Sequence, residues 1–315
     1  MLFRSHARRS ARYQPLVDRI IDGREPDALP ALQRAPSRHR AVIGELTLNG
    51  IRALSGAPVA RAGAMLRALR FEVDWRDDLK DRRWWRRAAA ARAIGLVSAN
   101  GAFEQLVDAL DDSHEEVRAA AVDALGRLGD PRAIAPLIDR LPDQSRNQRV
   151  RVVDALRQLG QSAGDALLTF VRERPERLPL VADVLAGSAG TAAVEDLKAW
   201  CGHASPAIRS AAMSSLGTVG LDDQSYYYAL RGLTDEDTGV RAMAARALGR
   251  SGRADAAEYL AERLADEWSV AAHSARALAR LSTAGRDALQ RRATEQGQAG
   301  DLARQMLWEA GIAIA

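Results

Sequence analysis

The feature that most constrains this chain is a repeat of about 31 residues that runs through its last three quarters. Counting back seven residues from the leucine of an "ALG"-like signature finds one aligned position per segment: Arg87, Arg118, Arg149, Leu178, Arg209, Arg241, Ala271 and Gly300. Successive positions are 31, 31, 29, 31, 32, 30 and 29 residues apart. Because chance similarity does not keep register through seven steps, the pattern indicates a stack of equivalent structural units.

Each segment has the sequence of two short helices joined by a tight turn. In the most regular one, residues 115–143, apolar residues recur at helical spacing from Val117 to Leu128, Gly129 ends the run, and Pro131 opens the second helix. The first helices are rich in alanine, so neighbouring helices can approach closely. Since one helix pair cannot bury both of its faces, the sequence predicts an all-α fold, an α-solenoid of about seven to eight two-helix units.

The N-terminal part of the chain does not match the repeat. We expect a flexible basic arm over residues 1–12, a helical block over residues 13–75 that caps the array, and the repeat array over residues 76–315. Charge divides similarly: residues 1–92 contain 20 Lys and Arg against 10 Asp and Glu, whereas the remainder contains 25 against 31. A basic N-terminal third can attract an anionic surface, or it can be a solubilising segment.

Acidic and basic residues also recur with the repeat, with an acid in the turn six residues before the aligned arginine. The members are Asp81 and Arg87, Asp112 and Arg118, Asp143 and Arg149, Arg209 with His203 in the acidic place, and Asp235 and Arg241. Residues that recur in every unit usually hold a stack together. We therefore interpret them as a charged structural ladder that pairs within and between units, interrupted where Leu178 and Ala271 replace arginine.

At these residues the chain resembles HEAT repeats, specifically the short HEAT-like repeats of the phycobilisome-lyase type. The resemblance covers residues 76–315 and implies an α-solenoid in which first helices form one surface and second helices the other. Tetratricopeptide and ankyrin repeats have a similar length, but their signature residues are absent from this sequence.

A second resemblance concerns the start of the array. The run LRALRFEVDWRDDLKDRRWWRRAAAARAIG resembles the beginning of HEAT arrays in bacterial membrane-anchored proteins, where a transmembrane helix precedes a cytoplasmic solenoid. The apolar segments of this chain are far shorter than the roughly 20 residues that span a bilayer. The resemblance implies a cytoplasmic, membrane-associated protein with Arg4, Arg8, Arg9 and Arg12 near an anionic membrane surface.

The sequence shows no catalytic, cofactor-binding or metal-binding pattern. Its five histidines lack metal-ligand spacing, and Cys201, the single cysteine, follows an apolar helix. A thiol and an imidazole in the order Cys201-Gly202-His203 could form a nucleophile and base, but a structural role is more typical of a lone pair in such a turn. We expect a protein that is not an enzyme and needs no cofactor.

Aromatic clusters are the candidate partner-binding residues. Tyr226, Tyr227 and Tyr228 follow one another in a second helix, so at least one ring should be exposed, as in many binding hot spots. Trp84 and Trp85 lie in RRWWRR, which could stack on bases or sit among lipid headgroups. We favour the interpretation that both indoles seal the joint between the N-terminal block and the first repeat.

Three functions remain open from the sequence. The leading hypothesis is a non-enzymatic scaffold that presents a solenoid groove to a protein partner at the cytoplasmic membrane face. The first alternative is a bilin lyase-like or other HEAT-like enzyme, for which only the scaffold matches and no catalytic residue can be transferred. The second is a DNA-binding HEAT-like repair protein, which is disfavoured because the array carries a net negative charge and nucleic acid is not the expected partner.

Overall fold

The computed structural model describes residues 2–24, 28–98, 100–141, 146–160 and 163–312. Over these residues all regular secondary structure is helical, and the predicted all-α class is confirmed. The chain divides into two compact units, Met1–Leu159 and Gly160–Ala315.

The first unit contains the N-terminal block and the first three first helices. Its helices are α1 (Leu2–Asp22), α2 (Leu29–Gln33), α3 (Arg40–Ile51), α4 (Ala57–Ala68), α5 (Phe71–Asp78), α6 (Trp84–Val97), α7 (Phe103–Ala109), α8 (Glu115–Leu128), α9 (Ile134–Asp139) and α10 (Arg146–Gln158). The aligned arginines lie in α6, α8 and α10, which pack side by side in that order. The intervening second helices, α7 and α9, pack against the first helices that follow them.

The second unit continues the same alternation of first and second helices. Its helices are α11 (Gly164–Glu173), α12 (Leu178–Ser188), α13 (Val194–Trp200), α14 (Pro206–Val219), α15 (Asp223–Gly232), α16 (Thr238–Ser251), α17 (Ala256–Glu262), α18 (Trp268–Arg280), α19 (Ser282–Ala293) and α20 (Gln298–Glu309). The first helices α12, α14, α16, α18 and α20 each pack against the next. The two-helix repeat that the sequence predicts is therefore present in each unit.

The N-terminal segment differs from the expectation of a flexible arm, because α1 begins at Leu2. Two contacts hold this helix on α3 and the turn before it. The His6 Nε2 atom lies 3.1 Å from the Glu45 carboxylate, and the Tyr13 hydroxyl lies 2.8 Å from His39 Nδ1. Tertiary contacts of this kind supply most of the stability of a helix in a folded protein, and they cannot be predicted from the local sequence of the arginine-rich segment.

Glycine facing alanine explains how closely consecutive first helices approach. A Cβ atom added to Gly126 of α8 would lie 2.7 Å from the Ala155 Cα atom of α10. A Cβ atom added to Gly249 of α16 would lie 2.6 Å from the Ala277 Cα atom of α18. The same glycine-to-alanine contact recurs in two further steps, Gly95 against Ala124 and Gly217 against Ala247. Small residues at these positions set the helix spacing of the stack.

Candidate interaction surfaces

The ladder residues of the first unit join one repeat to the next. Arg87 donates from Nε and Nη2 to the two carboxylate oxygens of Asp112, each at 2.7 Å. Its remaining Nη1 atom donates to the backbone carbonyl of Asp81 at 2.8 Å. Arg118 repeats the second contact on the Asp112 carbonyl at 2.7 Å. The arginine therefore binds the carbonyl of its own turn and the carboxylate of the following turn.

The second unit repeats this geometry twice. Arg209 donates to both carboxylate oxygens of Asp235 at 2.9 and 2.7 Å, and to the carbonyl of His203 at 3.0 Å. Arg241 donates to both carboxylate oxygens of Asp266 at 3.1 and 2.9 Å. Sequence reasoning missed Asp266, because the aligned position of its own unit is alanine. The useful signal is an aspartate 25 or 26 residues after the arginine.

Other predicted ladder residues have different surroundings. Asp81 is the first acidic residue of the ladder, and its carboxylate lies 3.0 Å from Arg83 Nε and 2.8 Å from Arg86 Nη1. Arg149 is exposed. Asp143 and the side chain of Arg4 lie outside the described residues.

Electrostatics favour the ionised form of the ladder carboxylates. Burial raises the pKa of Asp112, but hydrogen bonds from Arg87 and from the His114 N–H lower it more, so that the pKa falls below its usual value. The pKa values of Asp235 and Asp266 are lowered by the same balance of burial and hydrogen bonds. Bidentate, charge-assisted pairs of this kind are among the stronger protein hydrogen bonds. They stabilise the contact between consecutive repeats.

The tyrosine cluster separates into buried and exposed members. Tyr226 is 4% exposed, and the Arg253 guanidinium lies 3.8 Å from its ring centroid. Tyr228 is half-buried, whereas Tyr227 is 60% exposed on α15. Tyr259 occupies the equivalent place on α17 and is 49% exposed, a second aromatic that sequence reasoning missed. Tyr227 remains the member of the predicted cluster that a partner could reach.

The tryptophan pair lies at the start of α6. Trp84 stacks on His114, with ring centroids 4.0 Å apart and planes 2° from parallel. His114 caps α8, so this contact joins the first repeat to the turn that follows it, whereas the sequence interpretation placed both indoles at the joint with the N-terminal block. Trp85 packs edge-on against Trp84 and is 54% exposed.

A groove of about 1120 Å³ in the first unit is lined by α3, α5, α6 and α8. Its apolar lining includes Leu48 on α3, Phe71 and Trp75 on α5, and Ala89 and Leu96 on α6. Sequence reasoning did not identify this groove. The sequence feature that could have indicated it is that α3 and α5 do not match the repeat, so that they need not pack as a repeat does.

Ion pairs line the same groove. The Arg40 guanidinium lies 2.6 Å from the Asp74 carboxylate, and Arg86 lies 2.7 Å from Asp78. Burial raises the pKa of Asp78, and the charges of Asp81 and Asp74 add to this effect, which together outweigh the attraction of Arg86. The groove thus combines an apolar lining with fixed charges of both signs.

The thiol and imidazole of the Cys201-Gly202-His203 turn have structural surroundings. Burial raises the pKa of Cys201 to about 12, so the thiol stays protonated at neutral pH. His203 Nδ1 accepts the Ser205 N–H at 3.0 Å, which is the place that an aspartate carboxylate takes in other turns. Among the described residues, no group of three or more His, Cys, Asp or Glu side chains could hold a metal ion.

Hydropathy adds one finding. Within the described part of the chain, none of the helices combines the length and apolar character needed to cross a membrane.

A family model for HEAT repeats matches residues 74–157 and 222–279. The similar solved structures include the following three. The complex of CpcE and CpcF of phycocyanin lyase from Nostoc sp. PCC7120 has 21% identity and a TM-score of 0.34, over 75% of this chain and 93% of that chain. An engineered protein has 18% identity and a TM-score of 0.38, over 95% and 98%. Human deoxyhypusine hydroxylase in complex with glycerol has 18% identity and a TM-score of 0.32, over 96% and 95%. No curated protein sequence matches the chain.

Proposed function

The chain is a HEAT-repeat protein, and we propose that it is a non-enzymatic scaffold that holds a protein partner in the groove lined by α3, α5, α6 and α8. The observation that carries the proposal is the groove itself. Its volume of about 1120 Å³ exceeds the roughly 300–1,000 Å³ of typical small-molecule sites. A peptide segment or helix of a partner suits this size better than a metabolite does.

The lining of the groove supports the same class of ligand. Leu48 and Leu96 are partly exposed and offer apolar surface, and the rings of Phe71 and Trp75 lie buried beneath it. Apolar surface of this kind is typical of the buried centre of protein interfaces. Charged pairs such as Arg40 with Asp74 can exchange partners with an incoming segment and select for its charge pattern. An amphipathic helix, with one apolar face flanked by charges of both signs, satisfies both parts of the lining.

A blocking experiment tests the proposal. Ala41 and Ala89 are exposed residues that line the groove from α3 and α6, so Ala41→Trp and Ala89→Trp together would fill it. Ala207→Trp, at an exposed site on α14 in the second unit, is the matched control. Crosslinking pull-downs from the native cell, quantified by mass spectrometry, should recover the same partner with wild type and control, and lose it with the double variant. Equal recovery with all three proteins would contradict the proposal.

The same pull-down also tests the tyrosine surface that the sequence predicts. Tyr227→Ala removes an exposed ring without disturbing the buried Tyr226. If this variant loses the partner and the groove variant keeps it, the binding surface lies on the second helices of the second unit.

We also propose a location at an anionic membrane surface, held by the first half of α1. Arg8, Arg9, Arg12 and Arg38 form no ion pair within the part of the chain that the structure describes. Burial and the charges of Arg9, Arg38 and Arg12 lower the pKa of His39, which supports a locally positive surface. Each basic residue near an anionic bilayer contributes about 1 kcal/mol to binding.

Liposome flotation tests this location. Wild-type protein should float with vesicles that contain phosphatidylserine and not with phosphatidylcholine vesicles. Arg9→Glu with Arg12→Glu should abolish flotation, whereas the charge-matched control Arg231→Glu with Arg286→Glu should float normally. Flotation that is equal for both vesicle types, or equal for both variants, would rule out the proposed basic surface.

A further inference from the structure

Four arginines occupy equivalent positions on two neighbouring first helices of the second unit. Arg246 and Arg250 lie on α16, and Arg276 and Arg280 lie on α18. In each helix the two arginines are four residues apart, so their side chains share one face. We propose that this four-arginine array is a second binding surface, which takes an acidic segment of a protein partner through its carboxylates.

The backbone brings the two arginine pairs together. Gly249 and Ala277, which neighbour Arg250 and Arg276 in sequence, are the point where α16 and α18 come into close contact. Residues four apart on one helix have Cβ atoms about 5–6 Å apart, and packed helices lie about 8–10 Å apart. The four guanidinium groups therefore fall within the span of a short peptide segment.

Among the described residues, no acidic side chain forms an ion pair with the array, although the charge of Asp183 on α12 attracts Arg250. Arg246, Arg276 and Arg280 make no hydrogen bond or ion pair within the described ranges, which run with short gaps from residue 2 to residue 312. Arg250 donates to the Thr218 hydroxyl at 2.8 Å and to a backbone carbonyl, and neither acceptor is charged.

The equivalent positions of the first unit are arranged differently. Asp123 of α8 corresponds to Arg246 and pairs with Arg151 at 2.7 Å. Arg92 of α6 also corresponds to Arg246 and pairs with Glu116 at 2.9 Å. Residues at this repeat position can therefore form ion pairs with a neighbouring helix, as they do in the first unit. Arg246 and Arg276 form none among the described residues.

Leaving four like charges together is unfavourable for the unbound protein. Like charges four residues apart on a helix destabilise it. Burial and the charges of Arg246 and Arg280 lower the pKa of Arg250, and together they outweigh the charge of Asp183, which raises it. The second unit as a whole contains 17 Lys and Arg against 20 Asp and Glu, so the array is a local positive surface in an acidic unit. An anionic ligand would relieve the repulsion.

Carboxylates of a peptide fit the array better than the phosphates of a nucleic acid. The flanking first helices carry Ser214 and Thr218 on α14, and Gln305 and Glu309 on α20, at the equivalent positions. The positive surface is therefore two helices wide, whereas binding to a nucleic acid strand draws on many basic contacts along its length. None of these positions carries an aromatic ring for base stacking. A helix with glutamates four residues apart matches the arginine spacing and can form bidentate pairs.

This surface goes beyond the groove proposed above and lies in the other unit. Failure of the acidic-segment proposal would leave the groove proposal unchanged, because the two experiments use different variants and different probes.

Fluorescence anisotropy provides the test. The probes are a labelled, alanine-based helical peptide with glutamates at i, i+4 spacing, the same peptide with glutamine in place of glutamate, and single-stranded oligothymidylate of similar length. The variant is Arg276→Gln with Arg280→Gln, and the charge-matched control is Arg231→Gln with Arg286→Gln, at exposed sites on α15 and α19. Circular dichroism and thermal melting establish that both variants remain folded.

Wild-type protein should bind the glutamate peptide about tenfold more tightly than the glutamine peptide, as expected for several exposed charge pairs. The array variant should lose most of this difference, and the control should bind within about twofold of wild type. Equal losses in both variants, or no preference for glutamate, would overturn the proposal. Tighter binding of oligothymidylate than of the glutamate peptide, lost in the array variant, would assign the array to nucleic acid instead.

Discussion

Helices α6 and α8 of the first unit and helices α16 and α18 of the second share one scaffold and differ on their outer faces. Both pairs place a glycine against an alanine, Gly95 against Ala124 and Gly249 against Ala277. Both units also join an arginine of a first helix to an aspartate of the next turn. The shared positions set the distance between helices and the registry of the stack.

The exposed residues of these helices show which positions are not needed to build the stack. In the first unit, α3 and α5 line an apolar groove together with α6 and α8, and two ion pairs, Arg40 with Asp74 and Arg86 with Asp78, lie in its lining. In the second unit, the corresponding face of α16 and α18 carries four arginines without acidic partners in the described part of the chain. Positions that recur with the repeat therefore build the stack, and positions that depart from it carry the candidate binding surfaces.

Breaking the ladder should have the largest effect on stability. Arg209 is 8% exposed and donates to Asp235 and to the His203 carbonyl. Arg209→Met keeps most of the side-chain volume but leaves the Asp235 carboxylate, which is 16% exposed, without its arginine. We expect a loss of about 2–4 kcal/mol in the free energy of unfolding, measured by urea denaturation. Arg231→Met, at an exposed site, should change it by no more than about 0.5 kcal/mol.

Filling the contact between first helices should have the next largest effect. Gly249→Ala places a Cβ atom 2.6 Å from the Ala277 Cα atom, so the two helices must separate. We expect a loss of about 1–3 kcal/mol in the free energy of unfolding.

The matched control for this substitution is Gly187→Ala on α12, where an added Cβ meets nothing within 4 Å. Because alanine is the better helix former, this change should stabilise the protein by up to about 1 kcal/mol. If the two substitutions have the same sign of effect, close packing does not set the helix spacing.

Acid should weaken the ladder and leave the array unaffected. Asp112, Asp235 and Asp266 have lowered pKa values in the folded protein, while their values in the unfolded chain are about 3.9. Their contribution to stability is therefore fully present above the unfolded pKa, and it is lost as the pH falls through the lower folded pKa.

Urea midpoints measured from about pH 7 to about pH 2.5 should fall mainly below about pH 4. Arg241→Met should lose part of this decrease, because Asp266 no longer has its partner. Arg276→Gln with Arg280→Gln should retain all of it, since the array contains no titrating carboxylate. If the urea midpoint of Arg241→Met falls with pH as much as that of the wild type, the ladder carboxylates do not cause the loss of stability in acid.

The sequence predicts the repeat, its helix pairs and most of the ladder arginines, because each of these features recurs at the same spacing along the chain. Asp266 was not predicted as a ladder residue, because its partner, Arg241, lies in the preceding repeat and its own repeat has Ala271 at the aligned position. Three adjacent tyrosines ensure that one ring is exposed, but periodicity alone does not say that Tyr226 is the buried member.

The groove and the helical state of residues 2–12 depend on a part of the chain without a repeat. The sequence contains no repeat of α3 or α5 with which their packing could be aligned, and their positions follow from tertiary contacts. The contact of His6 with Glu45 joins residues 39 positions apart, which lies beyond any local pattern. A repeating pattern makes the stack predictable from the sequence, whereas the packing of the segments that do not repeat is known only from the structure.

Removing the array should produce the smallest change, with the opposite sign to the ladder variants. Arg276→Gln with Arg280→Gln relieves repulsion among four arginines and breaks no ion pair among the described residues. We expect the free energy of unfolding to rise by up to about 0.5 kcal/mol at low salt, and the gain to shrink as salt screens the charges. Thermal melts at low and high ionic strength measure it. A clear loss of stability would mean that these arginines hold the stack together, as Arg209 and Arg241 do, and would remove the distinction between the two outer faces.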